Sequence, residues 1–470
     1  MKKLFAFILI TFLCAGFSSA QSNQDIIGTW NGKLSVEGVT LRLSFHITDT
    51  SGTLTAAMDS PDQGAYGIPM DACTFENGSV QITKAQIMGV YAGKLSDDKN
   101  NLTGTWTQGG REMELNLERG EKIKLNRPQE PKPPYPYLEE EVSFENKEGG
   151  AHLEGTLTKP KTGGPFPTVI LISGSGMQNR DEMVFGHRPF WVLADHLTRN
   201  GIAVLRVDDR GTGQSTGEVM TSTTEDFAGD VKAGVDYLKL RDDIDKSKIG
   251  LIGHSEGGII APMVASSTDD VAFIILLAGP GVPGNEILTR QAIDIMRLEG
   301  NSENEVKCFG DLQKRILKVA TKDISDENAI DEMKRIFKSW EEALPEEISQ
   351  DLDSTMIFQM QQGFEQALMP WMRYFVAYDP RPALQMTKCP VLALNGEKDI
   401  QVYAKDNLAA IEEALKAGGN SNYRIEEIPN LNHLFQTCQT GAVTEYGNID
   451  ETFSPIALNI ISEWISKVIK

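Results

Sequence analysis

The spacing of apolar residues divides the chain into two parts with different periods. Between Ile26 and Leu125, apolar and polar residues alternate, as in Thr40–Ile47 and Glu112–Glu118, and short turn sequences separate the runs. A period of two over many short runs predicts antiparallel strands. We therefore expect residues 21–126 to form a small all-β domain, either a barrel or a sandwich.

Beyond Leu138 the pattern changes to continuous apolar runs separated by helical segments. Two hairpin-like strands come first, Glu140–Phe144 and Ala151–Thr158. Six runs typical of buried strands follow: Thr168–Ile172, Ala203–Val207, Ile249–Ile252, Ala272–Leu277, Val391–Leu394 and the more polar Tyr423–Ile428. This alternation predicts an α/β domain over residues 138–470, with a mostly parallel sheet and helices on both of its faces.

One long interval of this α/β domain carries no strand signal. Over about residues 281–388, apolar residues recur at helical spacing, and many of them are methionine or aromatic. Because the interval separates two predicted strands, we expect it to form a helical lid inserted into the domain.

Two further segments are predicted to lie outside the folded domains. Residues 1–20 place Lys2 and Lys3 before an apolar run and end in a small-x-small site, which is typical of a secretory signal peptide. Residues 127–137 are rich in proline, which favours extended backbone and predicts a semi-rigid linker. We therefore expect an exported protein, periplasmic or extracellular, with two domains.

Charge and cysteine content exclude several classes of function. The formal net charge is -21, and a surface this acidic repels phosphate backbones, so nucleic acid is not expected as a partner. No apolar run of the mature chain is long enough to span a bilayer. Four cysteines remain after the signal peptide, and their spacing indicates no metal or redox motif: Cys73, Cys308, Cys389 and Cys438. Either Cys389 pairs with Cys438 or all four are free thiols; no pattern sets an oligomeric state.

The segment Gly253–Gly257 has the sequence G-H-S-E-G and joins the run Ile249–Ile252 to a helical segment. G-x-S-x-G at such a junction predicts a nucleophile elbow, a sharp turn that exposes the serine hydroxyl. The glycines are needed where strand and helix approach the turn closely. Ser255 is therefore the predicted nucleophile, and His254 is expected to point away from it and to pack.

A serine nucleophile needs a base and a carboxylate that orients the base. His433 follows the run Tyr423–Ile428 and is the one histidine C-terminal to Ser255, so it is the predicted base. Asp399 lies in the loop after Val391–Leu394 and is the predicted acid. Three other acids remain alternatives for that role, with the first preferred: Glu397, Asp379 and Asp406.

Acyl transfer also needs donors for the developing oxyanion. The loop Ser173–Gly176 opens directly after the run Thr168–Ile172. The backbone N–H of Ser175 or Gly176 is predicted to act together with that of Glu256. A glycine-rich loop can also bind phosphate, but this spacing fits neither G-x-G-x-x-G nor a Walker loop.

Four motifs together resemble the α/β-hydrolase superfamily, and more narrowly secreted or thermophilic bacterial serine esterases with a helical cap. They are Ser173–Gly176 with Asn179–Glu182, Asp208–Ser215, Gly253–Gly258, and Pro370–Phe375 with Tyr378–Pro380. The resemblance implies the α/β-hydrolase fold, a triad of Ser255, His433 and Asp399, and a backbone oxyanion hole. The all-β domain lies outside it, although its opening Gly-Thr-Trp faintly resembles lipocalin-like barrels.

The expected function is cleavage of a small-molecule carboxylic ester through an acyl-enzyme, without a metal or an organic cofactor. Trp371, Tyr374 and Phe375 of the lid are predicted to line an acyl pocket, and Arg180 is a further candidate for substrate binding. A serine peptidase, an amidase or a thioesterase could use the same triad. A non-catalytic protein that binds a ligand in the all-β domain is the alternative of another class.

Overall fold

The structure is a computed structural model that describes residues 22–36, 39–63, 65–350, 352 and 354–470. The predicted signal peptide, residues 1–20, lies outside these residues. The described chain divides into two compact units, with the main boundary between Lys124 and Leu125.

Within the described residues, the first unit is an antiparallel sheet of ten strands. The strands are β1 (Gly28–Val36), β2 (Val39–Thr50), β3 (Thr53–Ser60), β4 (Ala65–Pro69), β5 (Ala72–Glu76), β6 (Ser79–Lys84), β7 (Gly89–Leu95), β8 (Asn101–Gln108), β9 (Arg111–Glu114) and β10 (Leu117–Arg119). Their spatial order is β4-β3-β2-β1-β10-β8-β7-β6-β5, and β9 pairs with β8. The all-β prediction for this region is confirmed.

Large aromatic side chains fill the interior of this first unit. Trp30, Phe45, Tyr91 and Trp106 are all fully buried. The rings of Phe45 and Tyr91 stack with their centroids 5.5 Å apart, and the guanidinium of Arg119 lies 4.2 Å above the Trp30 ring. The sequence Gly28-Thr29-Trp30 recurs as Gly104-Thr105-Trp106, and both tryptophans lie in this core.

The second unit contains a sheet of eight strands in its described residues. They are β11 (Tyr137–Asn146), β12 (Ala151–Pro160), β13 (Phe166–Ile172), β14 (Ala203–Val207), β15 (Ile244–His254), β16 (Phe273–Leu277), β17 (Val391–Gly396) and β18 (Tyr423–Ile428). Their order is β11-β12-β14-β13-β15-β16-β17-β18. The pairs β11/β12 and β12/β14 are antiparallel and the others are parallel, which confirms the predicted mostly parallel sheet.

Helices cover both faces of this sheet. Outside the lid they are α1 (Pro189–Arg199), α2 (Thr224–Lys239), α3 (Gly257–Ser267), α11 (Ala404–Ala417), α12 (Val443–Tyr446) and α13 (Pro455–Val468). Ile170 and Leu251 pack in an apolar cluster with α2, α3 and α11, whereas Leu171 and Ile252 pack in another with α1 and α13. Alternate strand residues thus enter opposite cores, which explains why the strands read as continuous apolar runs.

The interval between β16 and β17 is helical, as predicted. Its helices are α4 (Gly284–Leu298), α5 (Glu303–Ala320), α6 (Asp326–Glu341), α7 (Glu346–Ser349), α8 (Ser354–Ala367), α9 (Pro370–Ala377) and α10 (Arg381–Met386). Phe337, Trp340 and Phe364 lie in a core formed by α5, α6 and α8. The lid therefore has a hydrophobic core of its own.

The proline-rich segment packs on the second unit. The buried guanidinium of Arg127 donates hydrogen bonds to the carbonyls of Phe185 and Gly447, at 3.0 Å each. The side chain of Gln129 donates to the Phe453 carbonyl at 2.7 Å. These contacts tie the segment to the α/β unit, so it is not a free spacer along its whole length.

The described residues hold neither a disulfide nor a helix suited to a bilayer. Cys73, Cys308, Cys389 and Cys438 are free thiols, so the pairing of Cys389 with Cys438 is not formed. Burial raises the pKa of both of these thiols to about 11. Among the described helices, none combines the length and the apolar character needed to cross a membrane.

Candidate active site

Ser255 lies in a sharp turn between β15 and α3. Its φ is +52°, in the left-handed region that residues with a side chain rarely adopt. The Ser255 N–H donates to the Leu277 carbonyl at 2.9 Å, and its own carbonyl accepts from Gly258 N–H at 2.8 Å. The strained backbone is thus held by hydrogen bonds on both sides, in the geometry expected of a nucleophile elbow.

The glycines two residues before and after Ser255 are required by close backbone contacts. A Cβ at Gly253 would lie 1.9 Å from the Gly257 carbonyl oxygen. A Cβ at Gly257 would lie 2.3 Å from the Ile172 carbonyl oxygen. Neither position has room for a side chain, which accounts for the G-x-S-x-G spacing.

Asp399 and His433 form a buried hydrogen-bonded pair in the loops that follow β17 and β18. Asp399 Oδ2 lies 2.8 Å from His433 Nδ1. Asp399 Oδ1 accepts the backbone N–H groups of Gln401 at 2.8 Å and Val402 at 2.9 Å. Both carboxylate oxygens therefore accept hydrogen bonds, and the bond to Asp399 orients the His433 ring. Among the described residues, none forms a hydrogen bond with Nε2 of this ring.

The three alternative acids have other partners. Glu397 Oε2 accepts the Asn430 N–H at 2.9 Å. Asp379 forms an ion pair with Arg381, and Asp406 lies 3.6 Å from Arg290. Of the acids considered from the sequence, Asp399 is the one in contact with His433.

His433 also lies close to the elbow through the residue before the nucleophile. His254 Nε2 is 2.9 Å from the His433 carbonyl oxygen, and the two rings have their centroids 4.8 Å apart. No hydrogen bond joins the Ser255 hydroxyl to His433 in the part of the chain that the structure describes. The prediction that His254 only packs is incomplete, because both of its ring nitrogens have polar partners.

The loop after β13 runs directly alongside Ser255. A Cβ built on Gly174 would be 3.1 Å from the Ser255 Cβ. The Gly174 N–H is engaged by Glu182 Oε1 at 2.7 Å. Gly174 therefore has no free donor for an oxyanion, and the predicted donors from this loop remain the N–H groups of Ser175 and Gly176.

Several known proteins are similar to this chain. A family model described as serine aminopeptidase, S33 matches residues 189–326, which include the elbow but neither Asp399 nor His433. Esterase EstD of Thermotoga maritima is 25% identical over 334 residues, which are 69% of this chain and 68% of EstD. The second unit has the α/β-hydrolase fold. Its strand-to-helix elbow and the order serine, acid, histidine along the chain agree with that assignment.

Two solved structures are similar as well. Esterase Pf2001 of Pyrococcus furiosus is 17% identical, and the match covers 70% of this chain and 93% of that one with a TM-score of 0.41. Est1E from Butyrivibrio proteoclasticus, solved with ferulic acid, is also 17% identical, with 70% and 97% covered and a TM-score of 0.39. The esterase relative and the fold together support a carboxylic ester hydrolase.

Glu256 follows Ser255 in the α/β-hydrolase unit and is hydrogen-bonded to the lid. Its Oε1 accepts Thr224 Oγ1–H at 2.6 Å and Trp371 Nε1–H at 2.8 Å. Burial raises the pKa of this carboxyl, although the donors Thr224, Trp371 and Ser175 partly offset the effect. Trp371 of α9 therefore reaches the elbow, and its predicted place beside the substrate stays a prediction.

The other predicted substrate-binding residues have partners within the α/β-hydrolase unit. Arg180 donates to Glu141 and Asp208, at 2.6 and 2.8 Å, which engages its guanidinium in the protein. Phe375 is buried in a core cluster, and its ring stacks on Trp371. Tyr374 stacks on Tyr378 with a centroid distance of 5.6 Å. These contacts engage the guanidinium of Arg180 and bury Phe375, and the predicted place of Arg180, Tyr374 and Phe375 beside the substrate stays a prediction.

The motif Asp208–Ser215 stabilises the loop after β14. Arg210 is buried and pairs with both carboxylate oxygens of Asp230, at 2.7 and 2.8 Å. Ser215 Oγ donates to the Asp208 carbonyl and accepts the Glu154 N–H. The motif thus ties this loop to α2 and to β12.

Asp209 is a half-buried acid that has no cationic partner among the residues that the structure describes. It accepts Ser173 Oγ–H at 2.6 Å and Gln178 N–H at 3.0 Å. Burial raises the pKa of Asp209 to about 8, and the nearby charges of Glu182 and Glu256 contribute. Together with Glu256, it lines an internal cavity of about 60 Å³.

This elevated pKa predicts a pH-dependent stability. Between about pH 4 and pH 8 the folded protein keeps a proton on Asp209 that the unfolded chain has released, so the free energy of unfolding falls as the pH rises through this window. Asp209→Asn mimics the protonated acid. The quantity to compare is the melting temperature of the variant minus that of the wild type. We expect this difference to be several degrees larger at pH 8 than at pH 5, as measured by thermal unfolding followed by circular dichroism.

The neighbouring residue provides a matched control. Burial alone would raise the pKa of Asp208, but the ion pair with Arg180 and the backbone donors lower it below its usual value. Asp208→Asn should therefore lower the melting temperature at pH 8. A loss of stability in Asp209→Asn that is equal at both pH values would contradict a proton held on Asp209.

Proposed function

We propose that this protein is an exported serine hydrolase that cleaves small-molecule carboxylic esters through an acyl-enzyme. The observation that carries the proposal is the buried Asp399–His433 pair, whose histidine loop is joined through His254 to the elbow turn that holds Ser255. An alcohol, an imidazole and a carboxylate are the groups that acyl transfer needs.

The proposed mechanism assigns one step to each group. His433 Nε2 takes the proton of the Ser255 hydroxyl as its oxygen attacks the ester carbonyl, and returns that proton to the leaving alkoxide. Asp399 stabilises the imidazolium that forms between these steps. The N–H of Glu256, with that of Ser175 or Gly176, donates hydrogen bonds to the oxyanion. Water, activated by His433, then releases the acid. Hydrogen bonds between serine and base often tighten only in the substrate complex.

Peptide or amide hydrolysis is the second candidate, because the matching family model is described as a serine aminopeptidase. The triad would be the same, and the difference lies in the leaving group. Similarity to an esterase over a much longer part of the chain favours the ester. A thioester would follow the ester route with a thiolate as leaving group.

Two measurements on the wild-type protein test this proposal. We expect a fluorophosphonate to label one residue per chain, identified as Ser255 by peptide mass spectrometry. We also expect kcat/KM to be at least tenfold higher for p-nitrophenyl esters than for the p-nitroanilides of the same acyl groups. Faster turnover of the anilides would favour the amidase, and absence of labelling would favour a non-catalytic binding protein.

Export is proposed from residues 1–20 alone. The test is the mass of the mature protein after expression with the complete sequence in a bacterium that secretes through the general pathway. We expect a mature N-terminus at Gln21 outside the cytoplasm. A cytoplasmic protein that keeps residues 1–20 would contradict it.

A further inference from the structure

His254 connects the two sides of the proposed active site. It occupies the position before Ser255 and is buried, with 6% of its surface exposed. Its Nδ1 lies 2.8 Å from Glu182 Oε1, and its Nε2 lies 2.9 Å from the His433 carbonyl oxygen. The ring therefore bridges Glu182 and the loop that carries His433.

The partners of His254 decide where its protons lie. A backbone carbonyl can only accept a hydrogen bond, so Nε2 must carry a proton. Nδ1 faces a carboxylate, which also accepts. Burial disfavours the charged ring, but the charge and hydrogen bond of Glu182 outweigh it, so the pKa of His254 lies above its usual value. The contact with Glu182 thus favours a proton on Nδ1 of His254 as well.

Glu182 carries this connection to the loop of the proposed oxyanion hole. The same Oε1 atom accepts the Gly174 N–H at 2.7 Å, and Gly174 lies against Ser255. Glu182 is itself buried and has a φ of +50°. A residue with a side chain is strained in that conformation, so contacts with the surrounding structure must stabilise it.

Hydrogen bonds within the loop that carries His433 hold this loop together, but they do not fix its distance from Ser255. Asn432 Oδ1 accepts the N–H groups of Leu434 and Gln436, at 3.0 Å each, which fixes the loop to itself. Asp399 orients the ring of His433. His254, the last residue of β15, contacts this loop and directly precedes Ser255.

We propose that His254 and Glu182 are positioning residues, which set the distance between His433, Ser255 and the loop at Gly174 through buried hydrogen bonds. This inference rests on the proposed function, because it assumes that His433 is the base. A displacement of about 1 Å between reacting groups can cost on the order of 100-fold in rate. Loss of the bond to the His433 carbonyl should therefore lower kcat more than it changes KM.

Two substitutions of His254 separate positioning from a general role in folding. In His254→Gln the side-chain amide can reach the place of Nε2 and donate to the His433 carbonyl. In His254→Asn the shorter amide reaches only the place of Nδ1, next to Glu182. Both variants replace the imidazole ring with a neutral amide, so they form a matched pair.

The measurement is kcat and KM for one p-nitrophenyl ester, with kcat expressed per site titrated by a fluorophosphonate. We expect His254→Gln to retain kcat within about fivefold of the wild type, and His254→Asn to lose about 10- to 100-fold, with KM within threefold in both. A purely structural residue would lower the titrated fraction in both variants and leave kcat per site equal. Equal kcat in the two variants overturns the proposal.

A second pair of variants serves if neither His254 variant folds. Glu182→Gln keeps a side-chain oxygen that can accept from both the Gly174 N–H and His254 Nδ1–H, whereas Glu182→Ala removes it. We expect kcat per titrated site at least tenfold lower in Glu182→Ala than in Glu182→Gln, and equality overturns the proposal. A wild-type protein that neither labels nor hydrolyses esters would instead overturn the proposed function, and the inference with it.

Discussion

Replacing Ser255 by alanine is expected to lower kcat for p-nitrophenyl esters by on the order of 10⁵- to 10⁶-fold, which is the loss typical of a missing nucleophile. The elbow places the side chain between β15 and α3 at a φ of +52°, and alanine can occupy the same backbone. The variant should therefore fold with an unchanged melting temperature. Initial rates and fluorophosphonate labelling of purified protein measure the effect.

Ser266→Ala is the matched control for this substitution. Ser266 lies in α3, and its hydroxyl bonds to the Met263 carbonyl within that helix, at 3.0 Å. We expect wild-type kcat and full labelling from this variant. If Ser255→Ala kept a substantial part of the ester turnover, the acyl-enzyme route proposed here would be wrong.

Asp399→Asn is expected to lower kcat by on the order of 10⁴-fold while KM stays within a few-fold. The N–H groups of Gln401 and Val402 would hold the amide oxygen of the new side chain. Its NH₂ group would then face His433 Nδ1, which forces the proton of the neutral ring onto Nε2. That tautomer cannot take the proton of Ser255. Steady-state kinetics at a fixed pH measure the loss.

Glu397→Gln tests the preferred alternative acid under the same conditions. Glu397 lies two residues before Asp399 and accepts the Asn430 N–H, a bond that a glutamine oxygen can also accept. We expect kcat within about threefold of the wild type. A large loss in Glu397→Gln together with a small one in Asp399→Asn would assign the role to the other acid.

Much of the α/β sheet could be predicted because its strands are buried on both faces. The run Ala203–Val207 coincides with β14, and Tyr423–Ile428 coincides with β18. The strand β15 begins earlier than its apolar run, because Ile244 pairs with Phe166 beyond a polar stretch. The spacing of apolar residues detects buried strand positions. It misses the polar residues at the solvent-exposed start of a strand such as β15.

The contact between Asp399 and His433 was predictable for a different reason. Each residue follows a strand of one parallel sheet, and the carboxyl ends of such strands lie at the same edge. The roles of His254 and Glu182 left no comparable signal, because Glu182 lies far from His254 in sequence and reaches it through an unusual backbone conformation. An acid shortly after a glycine-rich loop was the only local hint.

The partners of Arg180 and Phe375 could not be predicted from the sequence either. An arginine in a loop and an aromatic residue in a lid each fit a binding role on composition alone. Only the fold shows that β11 supplies Glu141 to Arg180, and that Ile259 of α3 packs in the same cluster as Phe375. Tertiary contacts of this kind decide whether a polar or aromatic group is free to bind a ligand.

The insertion of the lid between β16 and β17 has a consequence for the newly made chain. Ser255 precedes the lid, whereas Asp399 and His433 follow it, and β17 must still pair with β16 across the whole insertion. Such distant pairing forms late, since a long loop must close first. A polypeptide that stops before β17 therefore has the proposed nucleophile without its proposed base, and the proposed activity requires that β17 and β18 be made and paired.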